Sequence, residues 1–141
     1  MNEPLKPGLR YSKTIKVDRS LIVPEMPKAI GALDTMPPVL ATAYMIAFVE
    51  TACIEALAPY LGENQMTVGT HVDMSHLAAT PAGMSITVDL ELILVEGRKL
   101  RFRVACRDDA EPIGAGFHER AIIDGPKFKA RVQAKSEKGA G

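Results

Sequence analysis

Two polar side chains stand where the surrounding pattern calls for apolar ones. Glu50 lies inside the run from Ala41 to Leu57, flanked by Phe48-Val49 and Ala52-Cys53, and His76 falls on the apolar face of an alternating stretch from Met66 to Leu77. A lone carboxylate in such surroundings is costly to ionise unless something pairs with it. An acid and an imidazole sharing a sheltered pocket can polarise each other and serve as base, acid or nucleophile. Each has a plainer reading: Glu50 facing solvent from the least buried stripe of a helix, His76 a satisfied core histidine. What favours chemistry is that both point toward one helix–sheet interior.

Three further residues bear on such a site. Thr42 suits an N-cap, but eight helical residues separate it from Glu50 by roughly 12 Å. Thr42 is therefore expected at the helix mouth, with His76 bridging the gap. Gly69, in mid-strand, marks either a bulge or a place where a ligand carbonyl approaches the backbone N–H. Arg120 lies on the strand face opposite Phe117 and Glu119, for which solvent exposure is the default. His71, Asp73 and His76 do not share one strand face, and the P-loop, GxGxxG and GxSxG patterns are missing, so no metal or other cofactor is expected.

The elements that must hold these residues follow from periodicity. Leu9 to Val17 reads as a strand. Val23 to Pro38, with Pro24, Pro27, Gly31, Pro37 and Pro38, reads as a loop or broken short helix, either a lid or an irregular connection. The helix from Ala41 to Leu57 is apolar around nearly its whole circumference, which calls for enclosure. Met66–Leu77, Met84–Leu94, Leu100–Arg107 and Ile113–Ile123 alternate as strands, linked by turns at ATPAG, VEGRK and DDAEP. Short connections make sequential strands antiparallel neighbours. Residues 1–8 and the basic tail from Asp124, above all 136–141, read as fraying. The expectation is one α+β domain over 1–141, a hotdog fold: a curved antiparallel sheet of about five strands wrapped around one long helix. Its open edge would be covered in a two-fold homodimer.

Composition narrows the function classes. The 141 residues carry 17 basic and 17 acidic side chains, a formal charge of zero, so a strong field for nucleic acid or an anionic membrane is not expected. Glu50 interrupts the longest apolar stretch, which argues against a membrane span, and the opening MNEPLKPGLRYSK has no signal-like apolar core. Cys53 and Cys106 both sit in apolar patterns and read as buried thiols of a cytoplasmic protein.

The succession VLATAYMIAFVETACIEALAPYL, VGTHVDMSHLAATPAG, VEGRKLRFRVACRD and IGAGFHERAII resembles the fluoroacetyl-CoA thioesterase family of single-hotdog enzymes. The likeness runs from about residue 36 to 133 and includes Thr-x7-Glu at 42 and 50, His76 within SHLAATP, and HER at 118–120. It implies hydrolysis of a short acyl-CoA thioester by a homodimer, with Thr42, Glu50 and His76 as the catalytic set. It also implies Gly69 and Arg120 at the acyl group, and Glu50 as nucleophile or as activator of water. At the loop positions where the fluoroacetyl-selective pattern has gating aromatics, this chain has Leu33 and Met36. The resemblance thus implies a short-chain thioesterase of open acyl preference. Two rivals are a hotdog hydratase, disfavoured because Asp34 is followed five positions later by Val39 where a histidine is needed, and a non-catalytic acyl-CoA-binding module.

Overall fold

The computed structural model describes residues 3–140, with the side chain of Ala140 excepted. Five strands, β1 (Arg10–Lys16), β2 (Gln65–Met74), β3 (Ser85–Glu96), β4 (Lys99–Asp108) and β5 (Pro112–Asp124), form one antiparallel sheet in the order β1-β3-β4-β5-β2. Helix α1 (Thr42–Leu57) lies across its inner face, and α2 (Gly125–Ala140) continues from β5. The hotdog architecture is as expected, but one pairing is not. β2 pairs with β5, Gln65 opposite Asp124 and Met74 opposite Gly116, rather than with β3, its neighbour in sequence. The connection over 75–84 is therefore a crossover between sheet positions, although its length resembles that of a turn.

Strict alternation builds the core. Ile86, Val88, Leu90 and Leu92 of β3 and Leu100, Phe102, Val104 and Cys106 of β4 are all buried, in one cluster with residues of α1. α1 answers with Met45, Phe48, Val49, Ala52, Cys53, Ala56 and Leu57, a stripe at helical spacing. Burying one side chain of the size of Phe102 stabilises by about 1.5–3 kcal/mol. Register shifts at Gly69/His71, Leu92/Leu94 and Cys106/Arg107 interrupt the ladders, irregularities of the kind that bend a strand.

α1 is not enclosed on every side within one protomer. Ala43, Ala47, Thr51 and Ile54 form an exposed stripe, since the sheet covers one side only. With the turn that follows it, the segment Thr42–Tyr60 has the length and composition to cross a membrane, contrary to expectation, but its buried stripe is occupied by the sheet. Gly8 N–H donates to the Leu92 carbonyl at 2.9 Å, and Leu5 and Leu9 pack on the core. The tail is helical because Asp124 caps it, accepting from Lys127 N–H at 3.0 Å, with Pro126 in the first turn. Met1, Asn2 and Gly141 lie outside the described residues. Three 3-10 turns, Arg19–Leu21, Val23–Glu25 and Lys28–Ile30, make up the loop before α1.

Candidate active site

Thr42 and His76 are brought together by stitches between two segments. Leu40 N–H donates to the Thr80 carbonyl at 2.8 Å, and Val39 bridges to Pro81. The buried Thr80 hydroxyl in turn donates to Asp108 at 2.8 Å, and Asp108 also accepts from Ala110 and Glu111 N–H. The segment after β2 is laid on β5 through Ser75 N–H to the Ala115 carbonyl (2.9 Å) and Leu77 N–H to the Ile113 carbonyl (2.8 Å). This close approach needs Gly114 and Gly116, where an added Cβ would collide with the carbonyl oxygens of Ser75 and Asp73.

His76 consequently sits two residues beyond the strand rather than within it, and its Nδ1 lies 2.7 Å from Thr42 Oγ1. Thr42 is the first helical residue, not the cap; extended Ala41 precedes it without a side-chain cap bond. Among the described residues His76 Nε2 is buried with no hydrogen-bond partner. Burial pushes the His76 pKa below its ordinary value, against the opposing pull of the Ala78 backbone. A neutral ring results near pH 7. With the proton on Nδ1, Nε2 offers a bare lone pair; with Thr42 donating, Nε2–H is a donor.

A second cluster forms around Glu50. Arg120, expected in solvent, is only 2% exposed, because His118 and Arg120 occupy the inner face of β5 while Phe117 stacks under Arg101 on the outer one. Arg120 Nη1 donates to Glu50 Oε2 at 2.7 Å, Nε donates to Thr67 Oγ1 at 2.8 Å and Nη2 donates to the Thr67 carbonyl at 2.9 Å. Gly69 passes directly over this pair: a Cβ there would lie 2.5 Å from Glu50 Oε2. The β2–β5 register shifts between Gly69 and His71, and the bareness of this glycine makes room for the carboxylate. His118, buried, donates from Nδ1 to the His71 carbonyl at 2.8 Å, and its Nε2 faces Arg120 Nη1 at 3.2 Å. Burial, the largest influence, pushes the His118 pKa below the ordinary histidine value and outweighs the His71 carbonyl; the Arg120 charge acts in the same direction as burial.

The fluoroacetyl-CoA-specific thioesterase pattern matches residues 23–126. The chain is 37% identical over 139 residues to the fluoroacetyl-CoA thioesterase of Streptantibioticus cattleyicolor, covering 99% of this chain and 100% of the relative. The chain belongs to the fluoroacetyl-CoA-specific thioesterase family. A solved fluoroacetyl-CoA thioesterase structure superposes with a TM-score of 0.90 at 37% identity, covering 93% of this chain and 98% of the other. A Thermus thermophilus thioesterase superfamily member does so at 0.84 and 25% identity, covering 97% of each chain. The enzyme class expected from the sequence, thioester hydrolase, stands.

In this thioesterase the expected residues fall into two pairs, Thr42 with His76 and Glu50 with Arg120 at Gly69. Among the described residues no hydrogen bond joins Glu50 to His76, so the anticipated bridge is not closed within one protomer. Two clefts of the protomer lie elsewhere, one against Ile54, Leu61 and Met66 and another on the loop from Pro24 to Asp34. On that loop Leu33 is half-buried and Met36 exposed. Sequence reasoning gave no role to His118, Thr67 or the Gly114–Gly116 pair. HER at 118–120 was visible, but the inward phase of its first and third residues becomes plain only from the β2–β5 pairing.

Proposed function

We propose that this thioesterase hydrolyses a short-chain acyl-CoA to the free acid and CoA. The observation that carries the reading is Glu50: one carboxylate oxygen is held by a buried arginine while, among the described residues, Oε1 has no hydrogen-bond partner. Such a group is aimed without being used up. Oε1 removes a proton from a water that attacks the thioester carbonyl carbon, or attacks that carbon itself to give a mixed anhydride that water then cleaves; in both routes the C–S bond breaks and CoA leaves as the thiolate. Neutral His76 takes up at Nε2 the proton that the water gives and delivers it to the CoA sulfur, while Thr42 holds its ring. Gly69, whose bareness gives the Glu50 carboxylate its room, lies beside the acyl group, with Arg120 as the positive neighbour. Leu33 and Met36 form the flexible cover over the acyl group, Met36 being less shape-defining than an aromatic.

The working unit in this proposal is a homodimer. β2 is a sheet edge with exposed Met66 and Val72, and the bare stripe of α1 with Ile54 lies on the same protomer. A two-fold pairing of β2 edges covers this surface and supplies further walls for the half-buried Glu50 and His76. Two free buried thiols, Cys53 raised to about 12 and Cys106 to about 11 chiefly by burial, suit a reducing, cytoplasmic setting.

The test is a thiol-release panel of acetyl- to hexanoyl-CoA with fluoroacetyl-CoA included, run on wild type and Glu50→Gln, alongside light scattering for mass. Turnover by wild type, its loss with retained ligand affinity in Glu50→Gln, and a dimeric mass are expected. Binding without turnover across the panel would leave an acyl-CoA-binding module instead.

A further inference from the structure

Arg120 is held more completely than a partner for one carboxylate requires. A guanidinium has five N–H donors, and four are engaged: Nε and one Nη2 proton with Thr67, the two Nη1 protons with Glu50 and His118. The contact with His118 is chemically specific. The His71 carbonyl can only accept, so His118 Nδ1 carries the proton facing it at 2.8 Å. Arg120 Nη1 can only donate, so the Nε2 it faces at 3.2 Å must be a bare lone pair. One ring form satisfies both neighbours: neutral, protonated on Nδ1. A side chain of similar shape without that lone pair would leave one Nη1 proton unmatched in a buried place.

We infer that His118 is a positioning residue, which together with Thr67 locks the Arg120 guanidinium in the one orientation that presents Glu50 with Oε2 held and Oε1 free. The inference rests on the reading of Glu50 as the group that meets the thioester. His118 itself meets no substrate: it is 1% exposed and both its nitrogens are spoken for. Its ring carbon Cε1 also abuts the bare face of Gly69, 3.3 Å from where a Cβ would stand. The imidazole therefore fixes the floor beneath Glu50 as well as the arginine beside it. Without this second anchor, Arg120 could swing about Thr67 and carry the carboxylate with it.

The test compares His118→Gln, His118→Asn and His118→Phe in the full-length protein. The amide oxygen of Gln reaches the place of Nε2 and can accept from Arg120; the shorter Asn amide reaches the place of Nδ1 and satisfies only the His71 carbonyl. Expected are a loss in kcat of roughly 10- to 100-fold for Asn and Phe, KM within about threefold, and recovery of most of kcat in Gln. In nitrogen-15 spectra of labelled arginine, the Arg120 Nε–H and Nη–H signals should be sharp and slow to exchange in wild type and Gln, and broadened in Asn and Phe. Folded Asn or Phe variants with wild-type kcat and unchanged Arg120 signals would overturn the inference, as would Gln and Asn behaving alike. Should Phe fail to fold, the Gln–Asn contrast decides. Should wild type release no thiol, the thioesterase reading of Glu50 falls, and the Arg120 signals alone decide the positioning role.

Discussion

Helix α1 carries two carboxylates that contrast instructively, Glu50 and Glu55. Glu55 faces β1, where Oε1 accepts from the Tyr11 hydroxyl at 2.8 Å and Oε2 from Lys13. Both oxygens are committed, and the pair sits at a wet rim; hydrogen bonds from Lys13 and Tyr11 lower the Glu55 pKa, and the same bond raises that of Tyr11. Glu50 instead meets an arginine that is itself buried and fastened, and among the described residues its other oxygen has no partner. Residue type and helix are shared. What separates a clamp from a reagent here is how many of its lone pairs the protein consumes, and whether the partner can move.

The largest effect that would sharpen this contrast is expected at Glu50 itself. Glu50→Gln retains an acceptor for Arg120, so the fold should persist while kcat falls by about 10³-fold or more, read by thiol release beside a thermal melt. His76→Ala should lower kcat by roughly 10²–10⁴-fold. Arg120→Lys should be nearly as damaging, by about 10²-fold, because a point ammonium cannot serve Thr67, His118 and Glu50 together. Glu55→Gln should change kcat by no more than about twofold and lower the melting temperature slightly; a loss comparable to that of Glu50→Gln would dissolve the comparison.

The smallest effect is expected from pH. His76 and His118 both have folded-state pKa values below the ordinary 6.5. As pH falls below about 6.5 the unfolded chain takes up these protons first, so stability drops until the folded pKa values are passed. Above that range they contribute no slope. Urea titrations at pH 7.5 and 5.5 should show the loss, reduced in His118→Gln, before the carboxylates held down by their partners, such as Glu119 and Asp108, begin to protonate. The kcat/KM profile should lose activity on the same acid side as His76 charges.

Much of this was legible because it is written in local periods. The alternation of β3 and β4, the Gly97 hairpin and the apolar run of α1 each announce themselves within a dozen residues, and Glu50 stands out against such a background. What escaped depends on partners far away in sequence. Arg120 reads as a surface residue because a buried cation is intelligible only beside Glu50 and Thr67, which lie 70 and 53 positions away. The pairing of β2 with β5 defied the preference for sequential neighbours for the same reason. The α2 start was a different kind of miss: Asp124-Gly125-Pro126 is a local signal, an acid cap with proline in the first turn, masked by the polar composition that follows. The two halves of the candidate site were each named from sequence, but their separation in the protomer is a matter of geometry.

The bare backbone of Gly114 and Gly116 has a consequence for how this enzyme tolerates change. His76 is registered by vacancy: the chain ahead of it rests where two methyl groups have been withheld. An alanine at Gly114 would work as a wedge, lifting the neighbouring chain and its imidazole away from Thr42 without coming near the reacting atoms. A single methyl group could thus silence the catalyst from underneath.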